Sequence, residues 1–291
     1  MKKYSALIID IEKSKTYRLE ERNEIQQYMS YCIDKLNDLF KEEIQCNVTF
    51  SAGDEMQGLF WNAASAYLYF RLFELLMKPV KIRGGIGIGE WTVKLDTKIS
   101  TQQDGPAYHR ARWAIEDVYR SQLHNIRINS GENDGMANHL VNAALPLKNQ
   151  QIYMQNIVLV SLELLYPFVT ERMHLKNYKL VQELIELKYG YRLWAKPFSV
   201  AGRRRNEADV ENIELPEVPF IKTIAINGEE TEPEEIIIKK NTATVLSEML
   251  NCTRQNINTI MKRGNAYKIR ELDYVALQYL EKTYGGEEWD Y

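Results

Sequence analysis

Apolar and polar positions alternate along this chain in three different ways, and each predicts a different kind of element. Tyr4 to Ile11 reads YSALIIDI, a short apolar run broken near its end by Asp10. Such a run predicts a buried strand. Leu19 to Lys41 places Ile25, Met29, Cys32, Ile33, Leu36 and Phe40 at three- and four-residue steps, which is helical spacing. Val48 to Phe60, VTFSAGDEMQGLF, reads as two strands joined at Ala52 to Glu55. Asn62 to Met77 predicts a second helix, stopped by Pro79, and Lys81 to Glu90, KIRGGIGIGE, a glycine-rich strand. Pro106 suits the first turn of a helix running to about Tyr119, with Asp104 placed to cap it. Leu123 to Asn129 predicts one more strand. The order β-α-β-β-α-β-α-β over residues 1–130 gives an α+β fold, an α/β sandwich of the ferredoxin-like type with helices on one face of a mixed sheet.

The pattern changes after residue 130. Residues 131–200 predict a helical extension: a short helix ended by Pro146, then amphipathic helices over Gln150 to Tyr166 and Leu175 to Lys188. These two are candidates for packing or for a homodimer contact. Residues 201–240 hold Arg203-Arg204-Arg205, many acids and three prolines, and read as a linker and domain boundary. Asn227-Gly228 after IKTIAI signals a hairpin turn within it. Residues 241–284 predict three helices. Thr253 is the N-cap candidate of the second, Gly264 its end, and Ile257, Ile260 and Met261 its buried face. Its opposite face offers Arg254, Gln255, Asn256, Asn258, Thr259 and Lys262. Side chains of these types hydrogen-bond bases and phosphates from a helix in the major groove of double-stranded DNA. A protein-docking module is the alternative for this helix-turn-helix-like unit.

Composition narrows the classes little. A net charge of −3 gives no global bias toward nucleic acid or an acidic surface. Three scattered cysteines form no ligand-spaced pair and suggest a reducing compartment. No run of eighteen apolar residues occurs, so no membrane partner and a cytoplasmic location are expected.

The candidate chemistry sits at the first strand and the hairpin. If these strands are neighbours, Asp10 and Asp54 meet at one sheet edge, and two carboxylates there repel unless a cation lies between them. That is how an oxygen-ligand Mg²⁺ site is built, with substrate phosphates completing the shell. Solvated strand ends are the alternative. Backbone N–H groups of Ile11, Glu12, Lys13 and Ser14 can face a phosphate, with a plain strand-to-helix turn as the alternative, and Arg110 or Arg112 can contact one, with an ordinary surface arginine as the alternative. The β-strand glycines Gly84, Gly85, Gly87 and Gly89 admit either a nucleotide over the sheet or a tightly packed helix.

The pieces ALIIDIEKS, SAGDEMQGLF, RGGIGIGE and DGPAYHRAR together resemble the SatD family, bacterial proteins of poorly defined function. More distantly they resemble the catalytic domains of class III nucleotidyl cyclases and diguanylate cyclases. The resemblance implies that Asp10 and Asp54 are metal carboxylates, that the Ile11 carbonyl is a further ligand, and that Glu55 follows Asp54 as the second acid does in the diguanylate motif. It implies Mg²⁺ or Mn²⁺ as cofactor and a nucleotide contacted by residues 11–14, Gly53, Arg83 and Arg110 or Arg112. It also implies a C-terminal helix-turn-helix, in which SatD-like proteins often end. The chain departs from the cyclase pattern in several places. Lys13 stands where the cyclases have a small glycine, Ala52-Gly53 where diguanylate cyclases have two glycines, and His109 and Trp113 where cyclases carry an asparagine and an arginine. Three readings follow: a nucleotide-sensing, DNA-binding regulator; a Mg-dependent cyclase or nucleotidyltransferase acting on NTPs; and a non-enzymatic interaction module.

Overall fold

A computed structural model describes residues 2–97, 99–190, 215–229 and 232–285. Its centre is a five-stranded sheet of β1 (Tyr4–Ile11), β2 (Ile44–Ala52), β3 (Glu55–Phe60), β4 (Ile82–Gly89) and β5 (Ile126–Asn129), in the order β2-β3-β1-β4-β5. The first four strands are antiparallel and β5 joins β4 in parallel. With α1 (Leu19–Leu39) and α2 (Ala63–Met77), strands β1 to β4 make a split β-α-β unit. β1 lies between β3 and β4, so both its edges are paired, and helices cover both its faces, which is why its run is apolar throughout.

The expected placement of helices on one face is corrected. Leu7, Ile9 and Ile11 face α1 and α2, whereas Tyr4, Ala6 and Ile8 face α3 (Pro106–Tyr119) on the other side. The β4 glycines explain how α3 comes so close. A Cβ on Gly87 would lie 2.1 Å from the Ala107 carbonyl oxygen and 2.1 Å from the Ala111 nitrogen. One on Gly85 would lie 2.5 Å from the Ala111 carbonyl oxygen, and one on Gly84 2.6 Å from the Phe70 ring of α2. These glycines serve helix packing, and that face has no room for a base. At the start of α3, Gly105 rather than Asp104 is the N-cap residue, and Asp104 Oδ1 instead accepts from the Gly105 N–H at 2.7 Å.

The remaining helices are α4 (Gly135–Asn142), α5 (Leu145–Gln150), α6 (Tyr153–Leu165), α7 (Tyr178–Tyr189), α8 (Pro233–Ile237), α9 (Thr242–Met249), α10 (Arg254–Arg263) and α11 (Ala266–Tyr284). α4 covers the open edge of β5: the Asn138 carboxamide pairs with both the N–H and the carbonyl of Ile128 (2.7 and 3.1 Å), and Asn142 Nδ2 donates to the Ile126 carbonyl at 2.9 Å.

Every residue of α2 is buried, as is every residue of α6 from Asn156 to Leu165. A helix apolar on all sides must be enclosed. α2 lies between the sheet and α6 with α11, and α6 is packed by α2, α7, α9 and α10. From Asn156 to Leu165, α6 is therefore enclosed within the chain, as the packing alternative for this helix expects.

The segment read as a linker is part of this core where it is described, through Val218, Ile224, Ile226 and Ile237. Arg203 to Arg205 lie outside the described residues. Asn227-Gly228 is a bend, with Gly228 at φ 74°, but among the described residues it joins no hairpin. Its strand, β7 (Ile224–Ala225), pairs in parallel with β6 (Phe168–Val169), and both N–H groups of the bend donate to Gln278 of α11 (3.1 and 2.7 Å).

A buried ion network ties the C-terminal helices to α2. Arg71 donates from Nε to Asp273 of α11 at 2.5 Å, and through both terminal nitrogens to Glu163 of α6 (Nη1 to Oε2 at 2.9 Å). Lys148 of α5 bridges Asp273 (3.2 Å) and Glu74 of α2 (3.1 Å), and Arg270 pairs with Glu163. Three cations face three carboxylates, all shielded from solvent. Among the described residues no helix is long and apolar enough to cross a membrane.

Candidate functional site

The carboxylate end of β1 and the β2–β3 hairpin meet at one end of the sheet. Ile9 is registered with Met56 of β3, and Asp10 with Arg83 of β4 on its other side. Asp10 therefore lies between the hairpin tip and Arg83. Its Oδ2 accepts from the Tyr119 hydroxyl at 3.2 Å and faces Arg83 Nη2 at 3.4 Å. The Arg83 guanidinium in turn lies over the Tyr119 ring, 4.4 Å from its centroid. Burial and then the Asp54 charge push the Asp10 carboxyl above the usual carboxylate range, against the Tyr119 hydrogen bond and Arg83. The Tyr119 hydroxyl is itself pushed up to about 12 by burial and by Asp10.

Asp54 is half-buried, and its Oδ2 is buried without a hydrogen-bond partner among the described residues. A buried carboxylate oxygen with no donor is costly unless something else neutralises it. Glu55 differs. Both its oxygens take the Arg112 guanidinium (Nη2 to Oε1 at 2.7 Å), and Ser51 donates to Oε1 at 2.8 Å. Burial pushes the Glu55 carboxyl up, but Arg112 and Ser51 outweigh it and hold it below its usual value. Glu55 is thus committed to Arg112 rather than open to a cation, and Arg112 is committed to Glu55 rather than to a phosphate.

The other expected residues divide. Ile11 is buried, at the last β1–β4 pair. Glu12 donates its N–H to the Lys81 carbonyl at 2.8 Å, and its carboxylate lies 3.6 Å from Lys13 Nζ. Lys13 is left-handed, with φ 56°. That is a conformation glycine adopts freely and a lysine rarely does. Ser14 opens a single 3₁₀ turn, and Gly53, φ 65°, forms the hairpin tip. Arg110 points away: α3 runs from the Gly89 end of β4 toward Asp10, and Arg110 Nη1 donates to the Ile88 carbonyl at 2.6 Å, at the far end of the sheet. The helical period separates Arg110 from Arg112 in this way.

Among the described residues no cluster of three His, Cys, Asp or Glu side chains could hold a metal ion. The donor set still fits one hard cation of the Mg²⁺ kind. It offers two carboxylates, one with an unpartnered buried oxygen, and ligand phosphates or water would supply the other positions.

Sequence reasoning missed Tyr119, which orients Asp10, and a cleft of about 910 Å³ that opens beside Arg83. Its signal in the sequence is faint: Lys78 and Lys81 flank Pro79 just before β4.

The SatD family profile matches residues 4–208, well over half of the chain. The chain belongs to the SatD family. Among curated proteins none matches it. Two solved structures of a bacterial light-regulated adenylyl cyclase are similar to this SatD-family chain at 16% identity and a TM-score of 0.32. Each covers 43% of this chain, and the chain covers 74% of one and 42% of the other. The family match ends before the C-terminal helices. There α10 follows α9 across Leu250 to Thr253, and Thr253 Oγ1 accepts from the Asn256 N–H at 3.2 Å. Ile257 and Met261 are buried. Arg254, Gln255, Asn256, Asn258 and Lys262 are exposed, and Thr259 is half-buried with its hydroxyl donating to the Gln255 carbonyl at 3.0 Å.

Proposed function

We propose that this SatD-family protein is a nucleotide-responsive regulator. Its sheet end holds a Mg²⁺–nucleotide and its α10 face contacts double-stranded DNA. The observation that carries the first part is the Asp10–Asp54 pair. Asp10 is desolvated and raised by its neighbour, while Asp54 Oδ2 is buried without a donor. A divalent cation satisfies both carboxylates at once. Asp10, Asp54 and the Ile11 carbonyl would hold the ion, which when bound would neutralise phosphate oxygens. Lys13 and Ser14, on the turn after β1, are placed to meet the phosphates. Binding is favoured over turnover because Arg112, the α3 arginine nearest the acids, is already spent on Glu55. Charge developing on a phosphoryl group has then no free arginine from α3 to stabilise it.

The DNA part is supported by the polar exposed face of α10, rich in amide and cationic side chains. The test of the core reading is thermal stability of the full chain with ATP or GTP and Mg²⁺ or Mn²⁺, with product analysis alongside. A metal-dependent rise in Tm that Asp54→Asn abolishes, with the fold intact, supports the reading. Equal stabilisation of both proteins, or none, would sink it. Appearance of a cyclic or transferred product would move the protein to the enzyme class.

A further inference from the structure

Beyond the carboxylate pair, on the far side of Arg83, the 910 Å³ cleft separates the sheet end from the start of α6. Its size falls within the roughly 300–1,000 Å³ of small-molecule sites. Its floor is the segment from Lys78 to Arg83 that leads into β4. One wall is the end of α3 with the turn to β5, and the other is the α5–α6 junction.

The charged residues lining it are Lys13, Lys78, Lys81 and Arg83 against Glu12 and Glu74. The two acids are already matched, and Arg83 is shared with Asp10 at 3.4 Å, so Lys81 and Lys78 are the cations in excess. Glu74 accepts from Lys148 at 3.1 Å and Asn125 at 2.5 Å, and Glu12 lies by Lys13. Lys81 pairs with no acid among the described residues. The Lys78 ammonium is desolvated, pushed down to about 8 by burial, and donates to the Lys148 carbonyl. Three further polar atoms on these walls are buried without partners among the described residues: Arg83 Nε, His124 Nδ1 and Gln151 Oε1. The Gln151 side chain is 7% exposed, and its Nε2 donates to the Gly264 carbonyl at the end of α10 at 2.8 Å. Apolar surface is present as well, for Tyr119 and Ile152 are 43% and 64% exposed.

We propose that this cleft is a second ligand site. It takes the phosphate of a phosphorylated molecule of nucleotide size without a metal, on Lys81, Lys78 and Arg83, and the ligand's ring against Ile152 and Tyr119. Cations in excess over available acids, in a partly desolvated cleft, favour an anion more strongly than the same charges on an open surface. Flat aromatic and aliphatic surface beside them suits a base or another planar ring. The cleft shares Arg83 with the carboxylate site but does not require a cation at Asp10 and Asp54.

The experiment is calorimetric titration of the full chain in EDTA with inorganic pyrophosphate, ADP and GDP, repeated with Mg²⁺. All three are expected to bind in EDTA, a nucleoside diphosphate more tightly than pyrophosphate. Lys81→Ala, an exposed position outside the core, should weaken all of them by about tenfold. Ile152→Ala should weaken the nucleotides and leave pyrophosphate binding as it is. Absence of binding in EDTA, or Lys81→Ala binding as tightly as wild type, overturns the cleft reading. Binding in EDTA that Mg²⁺ does not enhance supports the cleft while removing the metal reading. Binding only with Mg²⁺ does the reverse.

Discussion

Asp273 is the carboxylate on which the joining of the C-terminal helices to α2 turns. It is 1% exposed and accepts from Arg71 Nε at 2.5 Å, with Lys148 Nζ at 3.2 Å and the Tyr67 hydroxyl at 3.1 Å. Burial pushes its carboxyl up, but Lys148 and Arg71 outweigh this and hold it below the usual range. Asp273→Asn keeps the shape and removes the charge. Arg71, Arg270 and Lys148 would then face only Glu163 and Glu74, and one buried positive charge would be unbalanced. Breaking one partner of a buried ion pair costs about 3–5 kcal/mol, because the remaining charge stays desolvated. For a chain of this size the loss corresponds to a fall in Tm on the order of 10 °C. Chemical denaturation followed by far-UV and near-UV circular dichroism measures it. The expected result is one transition, displaced as a whole. Adding Lys148→Met, which rebalances the charges, should restore most of the loss. A loss below about 1 kcal/mol, or a split melt in which only an early phase moves, would refute the reasoning. The C-terminal helices would then unfold as a separate unit, and the network would not be what holds them.

Three further outcomes are expected. Gly87→Ala should cost about 3 kcal/mol in urea denaturation, since its Cβ would meet α3 backbone atoms that cannot give way; a neutral result would return the β4 face to ligand binding. Glu281 is pushed up to about 7 by burial, then by Glu43 and Glu171, against Arg172. The folded state thus holds a proton the unfolded chain has lost, so this group's contribution is full below pH 4.5 and disappears as pH rises through about 7. Glu281→Gln should therefore gain about 1–3 kcal/mol over wild type at pH 8 and flatten the profile, as read from Tm against pH; parallel profiles would contradict it. In selection of DNA fragments at about 0.1 M salt, Gln255→Ala should relax sequence preference, whereas Lys262→Ala should weaken all sequences alike and flatten the salt slope. Retention of no fragment would reassign α10 to packing or protein docking.

Much of the fold was legible because local signals decide it. The apolar run of β1, the three- and four-residue period of α1, the Thr253 cap and the Pro106 start all act within a turn or two of chain. Asn241, Asn251 and Asn265, each at positive φ, mark the turns into and between the last three helices, as asparagine does more readily than most residues. The pairing of β1 with β3, which sets the Asp10 end of β1 beside the hairpin, was also legible, since both runs read as neighbouring strands.

What the sequence left open depends on which surfaces meet. The β4 glycines fit a ligand or a helix equally until α3 is seen pressed against them. Arg110 and Arg112 are two residues apart, and only the direction of α3 across the sheet sends one to Ile88 and the other to Glu55. The apolar sides of α6 look the same whether they cover a core or a second subunit, and only the tertiary structure shows them packed by α2, α7, α9 and α10. Arg71, Glu74, Lys148, Glu163, Arg270 and Asp273 are ordinary surface residues by type. Their burial follows from a charge balance assembled from four helices and spread over more than two hundred positions, which no local pattern encodes.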